Sequence, residues 1–256
     1  MSESMPLSLR HEYELFVERA VEDFKDTIPR EAILRIGDEA VAALEAQAQF
    51  ALTEMVLWDE VDRIIARRLK LPSYRTWCRR RLETLAKYRR PEHWGFRPDA
   101  PLLRAIEPAA EAHVLVAGSA ELAPAMYLAA NGCAVTAVDE GLDAVERVIQ
   151  AAVAAGLSER VRGLVGSIGG WSPDVSLAGV VCTPRAFSGL SAEEHAQTIA
   201  QLQLATTPGG VHLVEGVGPE TALTIGDLHA HYRGWEVSLV GSRTAPSAFM
   251  ARKSLS

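Results

Sequence analysis

"VLVAGSAELAPAMYLAANGCAVTAVD", Val114 to Asp139, decides the fold. An apolar strand runs into Gly118, an apolar helix follows, and a second strand ends in an acid. Two parallel strands joined by a helix form the unit of an α/β sheet. Downstream the alternation continues. "LDAVERVIQAAVAAG" reads as a helix ending at Gly156, "VRGLVGS" and "LAGVVCT" as strands, and "SAEEHAQTIAQLQLAT" as a helix capped by Ser191. "GVHLVEG" is a fifth strand and "IGDLHAHYR" a short helix, before "WEVSLVG" and "SAFMARK" close the pattern as two more strands. The last two are joined by a few residues, so the final strand is expected antiparallel in a doubly wound, seven-stranded, otherwise parallel sheet.

Upstream the period changes. Leu9, Tyr13, Phe16, Ala20 and Phe24 recur every three or four residues, one face of an amphipathic helix. A second apolar stripe runs from Ile33 to Val56, with "WDEVDRIIARRLKL" as its continuation or a separate helix. Pro72 ends that segment, and Ser73 can cap "YRTWCRRRLETLAKY". The expected organisation is an N-terminal all-α region over residues 1–90, a proline-rich linker over 91–111, and a sheet domain over 112–256.

The net charge of -7 conceals a pattern: 5 basic and 15 acidic side chains in residues 1–62, but 11 basic ones against Glu83 alone in 63–90. Such a block either neutralises the acidic helices beside it or meets an anionic substrate or partner. The acidic remainder argues against broad contact with nucleic-acid phosphates. No stretch is long and apolar enough for a membrane span, and no signal-peptide core opens the chain. Cys78, Cys133 and Cys182 lack metal-ligand spacing, so no metal is expected and the cytoplasm is the default.

In open α/β sheets ligands sit at the carboxyl ends of strands, where strand order reverses. Gly118 stands at the first such turn, and Asp139 ends the second strand 21 positions later, where a carboxylate accepts from ribose hydroxyls. Alternatively, Asp139 caps the helix that follows it.

With these motifs in order, residues 100–253 resemble class I S-adenosylmethionine-dependent methyltransferases. "LATTPGGVHLVEG" is similar to that family's turn into its fifth strand, and "IGDLHAHYRGWEVSLVG…SAFMARK" to the end of its tellurite-resistance branch. The resemblance implies S-adenosylmethionine as cofactor, held by Gly118, Ser119, Ala120, Glu121, Asp139, Glu140, Ser167 and Cys182. It also places Thr183, Pro184, Arg185 and Phe187, after the fourth strand, near the transferred methyl group.

The family's pattern is eroded. Its acid before the first glycine corresponds to Val116, its next loop glycines to Ala120 and Leu122, and its adenine-binding acid to Ser167. Each lost charged contact costs about 1.5–3 kcal/mol, so weak binding is expected. Glu121 is the residue that would take over, though a helix N-terminus favours a glutamate without any ligand.

The substrate is expected to be a small molecule, anionic where the basic block meets it, walled by Trp94, Phe96, Thr183 and Arg185, with His93 and Arg185 as catalytic candidates. The same aromatics also suit a staple between the helical and sheet parts. Residues 73–96 are expected to cross the carboxyl edge of the sheet as a lid, with Arg79, Arg80, Arg81, Arg89 and Arg90 at its rim. The helices would otherwise form a homodimer surface. The leading function is methyl transfer to a small molecule. The alternative is an inactive pseudo-methyltransferase that serves as a binding module. An aminocarboxypropyl transferase and a nicotinamide-dependent dehydrogenase fit the motifs less well.

Overall fold

Among the described residues up to 90, the chain forms four helices: α1 (Leu9–Thr27), α2 (Arg30–Glu45), α3 (Glu54–Arg68) and α4 (Tyr74–Tyr88). The computed structural model describes residues 8–46, 54–118, 122–217, 223–242 and 245–255. The chain divides into two compact units between Arg80 and Arg81, within α4.

The first unit owes its form to three apolar stripes. Ser8 caps α1, its side chain accepting from the His11 N–H at 3.2 Å. Val21, Ile36, Ala40, Val61, Ile64 and Ile65 then close a core between α1, α2 and α3. α3 spans Glu54–Arg68, and Gly37 sits inside an uninterrupted α2. Glu60 is buried on this core and receives Arg63 and Arg67 at 2.7 and 2.9 Å, while Arg68 reaches Glu39. This part of the basic block therefore neutralises the acidic helices around it.

The second unit carries a seven-stranded sheet. Its strands are β1 (His113–Ala117), β2 (Ala134–Asp139), β3 (Val161–Val165), β4 (Leu177–Cys182), β5 (Thr206–Glu215), β6 (Glu236–Ser242) and β7 (Ala245–Arg252). Their order is β3-β2-β1-β4-β5-β7-β6, with β7 antiparallel to both neighbours and the other pairings parallel. The order reverses between β1 and β4. Helices α5 (Pro101–Ala105), α6 (Ala123–Ala130) and α7 (Leu142–Ala155) cover one face, and α8 (Ala192–Ala205) and α9 (Ile225–His231) the other. α6 is buried on every side, as "APAMYLAA" with no charged residue allows.

Residues 91–111, expected as a linker, belong to this unit's core: Leu102, Ala105 and Ile106 are buried against the sheet, and Phe96 meets the Tyr127 ring edge-on at 5.7 Å. Helix signals of a single turn are too short to read through the prolines.

The expected rim position at the carboxyl edge is overturned for Arg81 and Arg89. Arg81 donates to the Gly156 carbonyl at 3.0 Å, and Arg89 to the Ala130 carbonyl at 2.9 Å. These carbonyls end α7 and α6, at the amino edge of the sheet. Free carbonyls at a helix C-terminus attract cations, which is where these arginines have gone. The approach is close: Gly156 has φ +71°, and a Cβ there would lie 1.8 Å from the Arg81 guanidinium.

On the other face a buried histidine fixes β5 to α8 and α9. The Thr206 hydroxyl donates to the Leu202 carbonyl at 2.6 Å, so it accepts from His212 Nε2–H at 2.7 Å. His212 Nδ1 then accepts from the Tyr232 hydroxyl at 2.6 Å. Burial pulls the His212 pKa down to about 3, with the Lys253 charge adding to the effect.

Candidate functional site

At the strand-order reversal two turns meet. Gly118 leaves β1 with φ +65°, and a Cβ there would lie 2.5 Å from the Ala186 nitrogen. Only glycine fits beneath this second turn, a 3₁₀ turn over Pro184–Phe187. The turn is pinned in three places. The Thr183 hydroxyl donates to the Gly118 carbonyl at 2.7 Å, the Phe187 ring is buried, and His195 Nε2 donates to the Phe187 carbonyl at 2.8 Å.

Asp139 faces this junction from the end of β2 and is 8% exposed. One carboxylate oxygen, Oδ1, accepts from the Gly141 N–H at 2.9 Å, which fixes the side chain at the start of α7. The other, Oδ2, is buried and has no hydrogen-bond partner among the described residues. An unsatisfied buried acceptor of this kind costs about 1–3 kcal/mol, so it is an address for a donor such as a ribose hydroxyl. The cap expected of Asp139 is made through Oδ1, and Oδ2 is left as a free acceptor among the described residues.

Gly118, Val138, Asp139, Glu140, Gly166, Ile168, Arg185 and Ala186 line the cleft. The space between them is about 20 Å³, room for about one water, whereas a small-molecule site needs about 300 Å³ or more. The free acceptor Asp139 Oδ2 thus suits a ribose hydroxyl of S-adenosylmethionine, while the room among the described residues does not admit the whole cofactor with the Pro184–Phe187 turn in this position. Ser119, Ala120 and Glu121 lie outside the described residues.

The other expected residues fall in different places. Arg185 and Glu140 are exposed at the cleft. Ser167 caps a 3₁₀ turn, accepting from the Gly169 N–H at 3.3 Å, and leaves the cleft wall to its neighbours Gly166 and Ile168. Cys182 is buried in the core under α8 and α9, its thiol pushed up to about 12 chiefly by that burial. It neither lines the cleft nor serves as a nucleophile there.

His93 stacks on Tyr88 at 5.3 Å, and the Trp94 indole donates to the Tyr88 carbonyl at 2.8 Å. Neither lines the cleft. Phe96 is different: with Arg97, Arg104, Glu215 and Gly241 it lines a cavity of about 450 Å³ at the carboxyl ends of β5 and β6. Ala186, which closes over Gly118, had no signal of its own in the sequence.

Strand order, the antiparallel β7 and a carboxylate ending β2 beside the reversal define a class I methyltransferase fold. No family model and no curated protein matches the sequence. Among solved structures, the chain is similar to a TehB-like S-adenosylmethionine-dependent methyltransferase from Corynebacterium glutamicum. That match has 17% identity over 69% of this chain and 98% of that one, with a TM-score of 0.49. It is also similar to the N-methyltransferase NodS from Bradyrhizobium japonicum, with 14% identity over 70% and 97% and a TM-score of 0.47. The likeness to TehB from Haemophilus influenzae has 16% identity and a TM-score of 0.44; it spans 55% of this chain and only 57% of that one. At such values these likenesses say nothing of activity, and the fold rests on the strand order. Among the described residues no helix is long and apolar enough to cross a membrane.

Proposed function

We propose that the chain binds S-adenosylmethionine, with Asp139 accepting from the ribose, and transfers its methyl group to a small molecule. The buried, unpartnered Asp139 Oδ2 is the observation that carries this reading. When bound, the cofactor supplies an electrophilic methyl on a sulfonium. The chain's own part is to orient: Asp139 anchors the ribose, and the Pro184–Phe187 turn that lies over Gly118 moves aside to admit the rest of the cofactor. The acceptor site is the cavity beside Phe96, where Arg97 and Arg104 suit an anionic molecule. The three free cysteines suit a reducing compartment such as the cytoplasm.

A second reading has one observation in its favour. With Ala186 against Gly118 and about 20 Å³ between the turns, the cleft is too small for the cofactor among the described residues, as in a pseudo-methyltransferase that keeps the fold for another role. Calorimetric titration with S-adenosylmethionine and its demethylated product separates the two. Under the first reading both bind, and Asp139→Ala weakens them tenfold or more through loss of a charge-assisted bond. Absence of binding by the folded protein selects the second. Equal affinity in a folded Asp139→Ala variant removes Asp139 from the site.

A further inference from the structure

A larger cavity lies at the opposite edge of the same sheet. It measures about 520 Å³, within the range of small-molecule sites, and it opens at the amino ends of β1, β4 and β5. Ala178 on β4 and Gly209 on β5 line it with little side chain of their own. Leu103, Ile106, Val114, Tyr127 and Val211 supply apolar walls.

The mouth is cationic. Arg252, at the end of β7, donates to the Gly209 carbonyl at 3.0 Å and the Ala105 carbonyl at 3.5 Å. These bonds hold the guanidinium at the rim and leave its other N–H groups for a ligand. Arg104 lines the same cavity, against a single acid, Glu107. An apolar interior beneath a fixed guanidinium is complementary to one kind of molecule.

We propose that this amino-edge cavity is a second ligand site, which takes a small molecule with an apolar body and one carboxylate. The carboxylate pairs with Arg252, assisted by Arg104, and the body fills the space over Ala178. The site stands apart from Asp139; it shares Arg104 with the cavity beside Phe96, and Arg252 lines this cavity alone of the two.

Decanoate is the probe, with decanol as its uncharged counterpart, titrated into the full chain by calorimetry and followed by NMR. Decanoate should bind saturably at one site, at least tenfold more tightly than decanol. Arg252→Gln should remove that tenfold preference, and Arg104→Gln should reduce it. Ala178→Leu, which fills the cavity, should abolish binding of both probes in a protein with an unchanged melting curve. If that variant does not fold, Ala109→Leu at the mouth makes the same test. Saturable binding that survives both filling substitutions, equal affinity for the two probes, or no saturable binding would each overturn the proposal.

Discussion

Gly118→Ala distinguishes a glycine kept for a ligand from one kept for the fold. A left-handed backbone costs a residue with a Cβ about 1–2 kcal/mol. At Gly118, with φ +65°, the new methyl would also lie 2.5 Å from one backbone atom of Ala186 and 2.7 Å from another. Backbone cannot swing aside as a side-chain tip can, so the Pro184–Phe187 turn must move. That movement stretches the Thr183–Gly118 hydrogen bond, worth about 1 kcal/mol. The expected loss is thus about 2–3 kcal/mol, measured by urea unfolding of the ligand-free protein, with the denaturant slope unchanged. A loss under about 0.5 kcal/mol would refute this reasoning, because a change that small is ordinary for a site without close contacts. Gly118 would then owe its place to a ligand alone.

Two further outcomes follow from buried and capping groups. His212 is neutral in the fold, its pKa held at about 3 against an ordinary 6.5. Below pH 6.5 the unfolded chain takes a proton that the folded one refuses until about 3, so stability falls as the pH falls through that window. By pH 5 the loss is about 2 kcal/mol, and His212→Gln should flatten this slope in unfolding measured from pH 7 to 5. Arg89→Gln should cost about 0.5–1 kcal/mol, through the loss of its bond to the end of α6, and leave S-adenosylmethionine affinity unchanged. Altered affinity with undiminished stability would return Arg89 to the cleft.

The order of strands and helices was legible because each apolar run is punctuated by Gly, Pro or a capping residue, and Asp139 because its distance from Gly118 is a local measure. What the sequence hid was long-range. Nothing near Gly118 says that a turn 65 residues later lies on it, and nothing near Arg89 says that its partner is the end of α6. Cys182 was misplaced for another reason. Strands buried on both faces are apolar throughout, so alternation does not tell which way Cys182 points. The register settles it, since Cys182 pairs with Ala117 and Val214, and all three belong to the core under α8 and α9. The segment 91–111 was read from its prolines, yet Leu102 and Ile106 carry the packing.

The position of β7 bears on how the protein is made. It lies between β5 and β6 but leaves the ribosome after both. Until Ala245–Arg252 emerge, β5 presents a bare edge of unpaired backbone and β6 has no strand to join. Open edges invite pairing with other chains, so the nascent chain passes through an aggregation-exposed interval that only its last strand ends. Insertion of that strand also delivers Lys253 to the carbonyls of Gln203 and Thr206, at 2.8 and 2.6 Å, so the sheet and the end of α8 are completed in one late step.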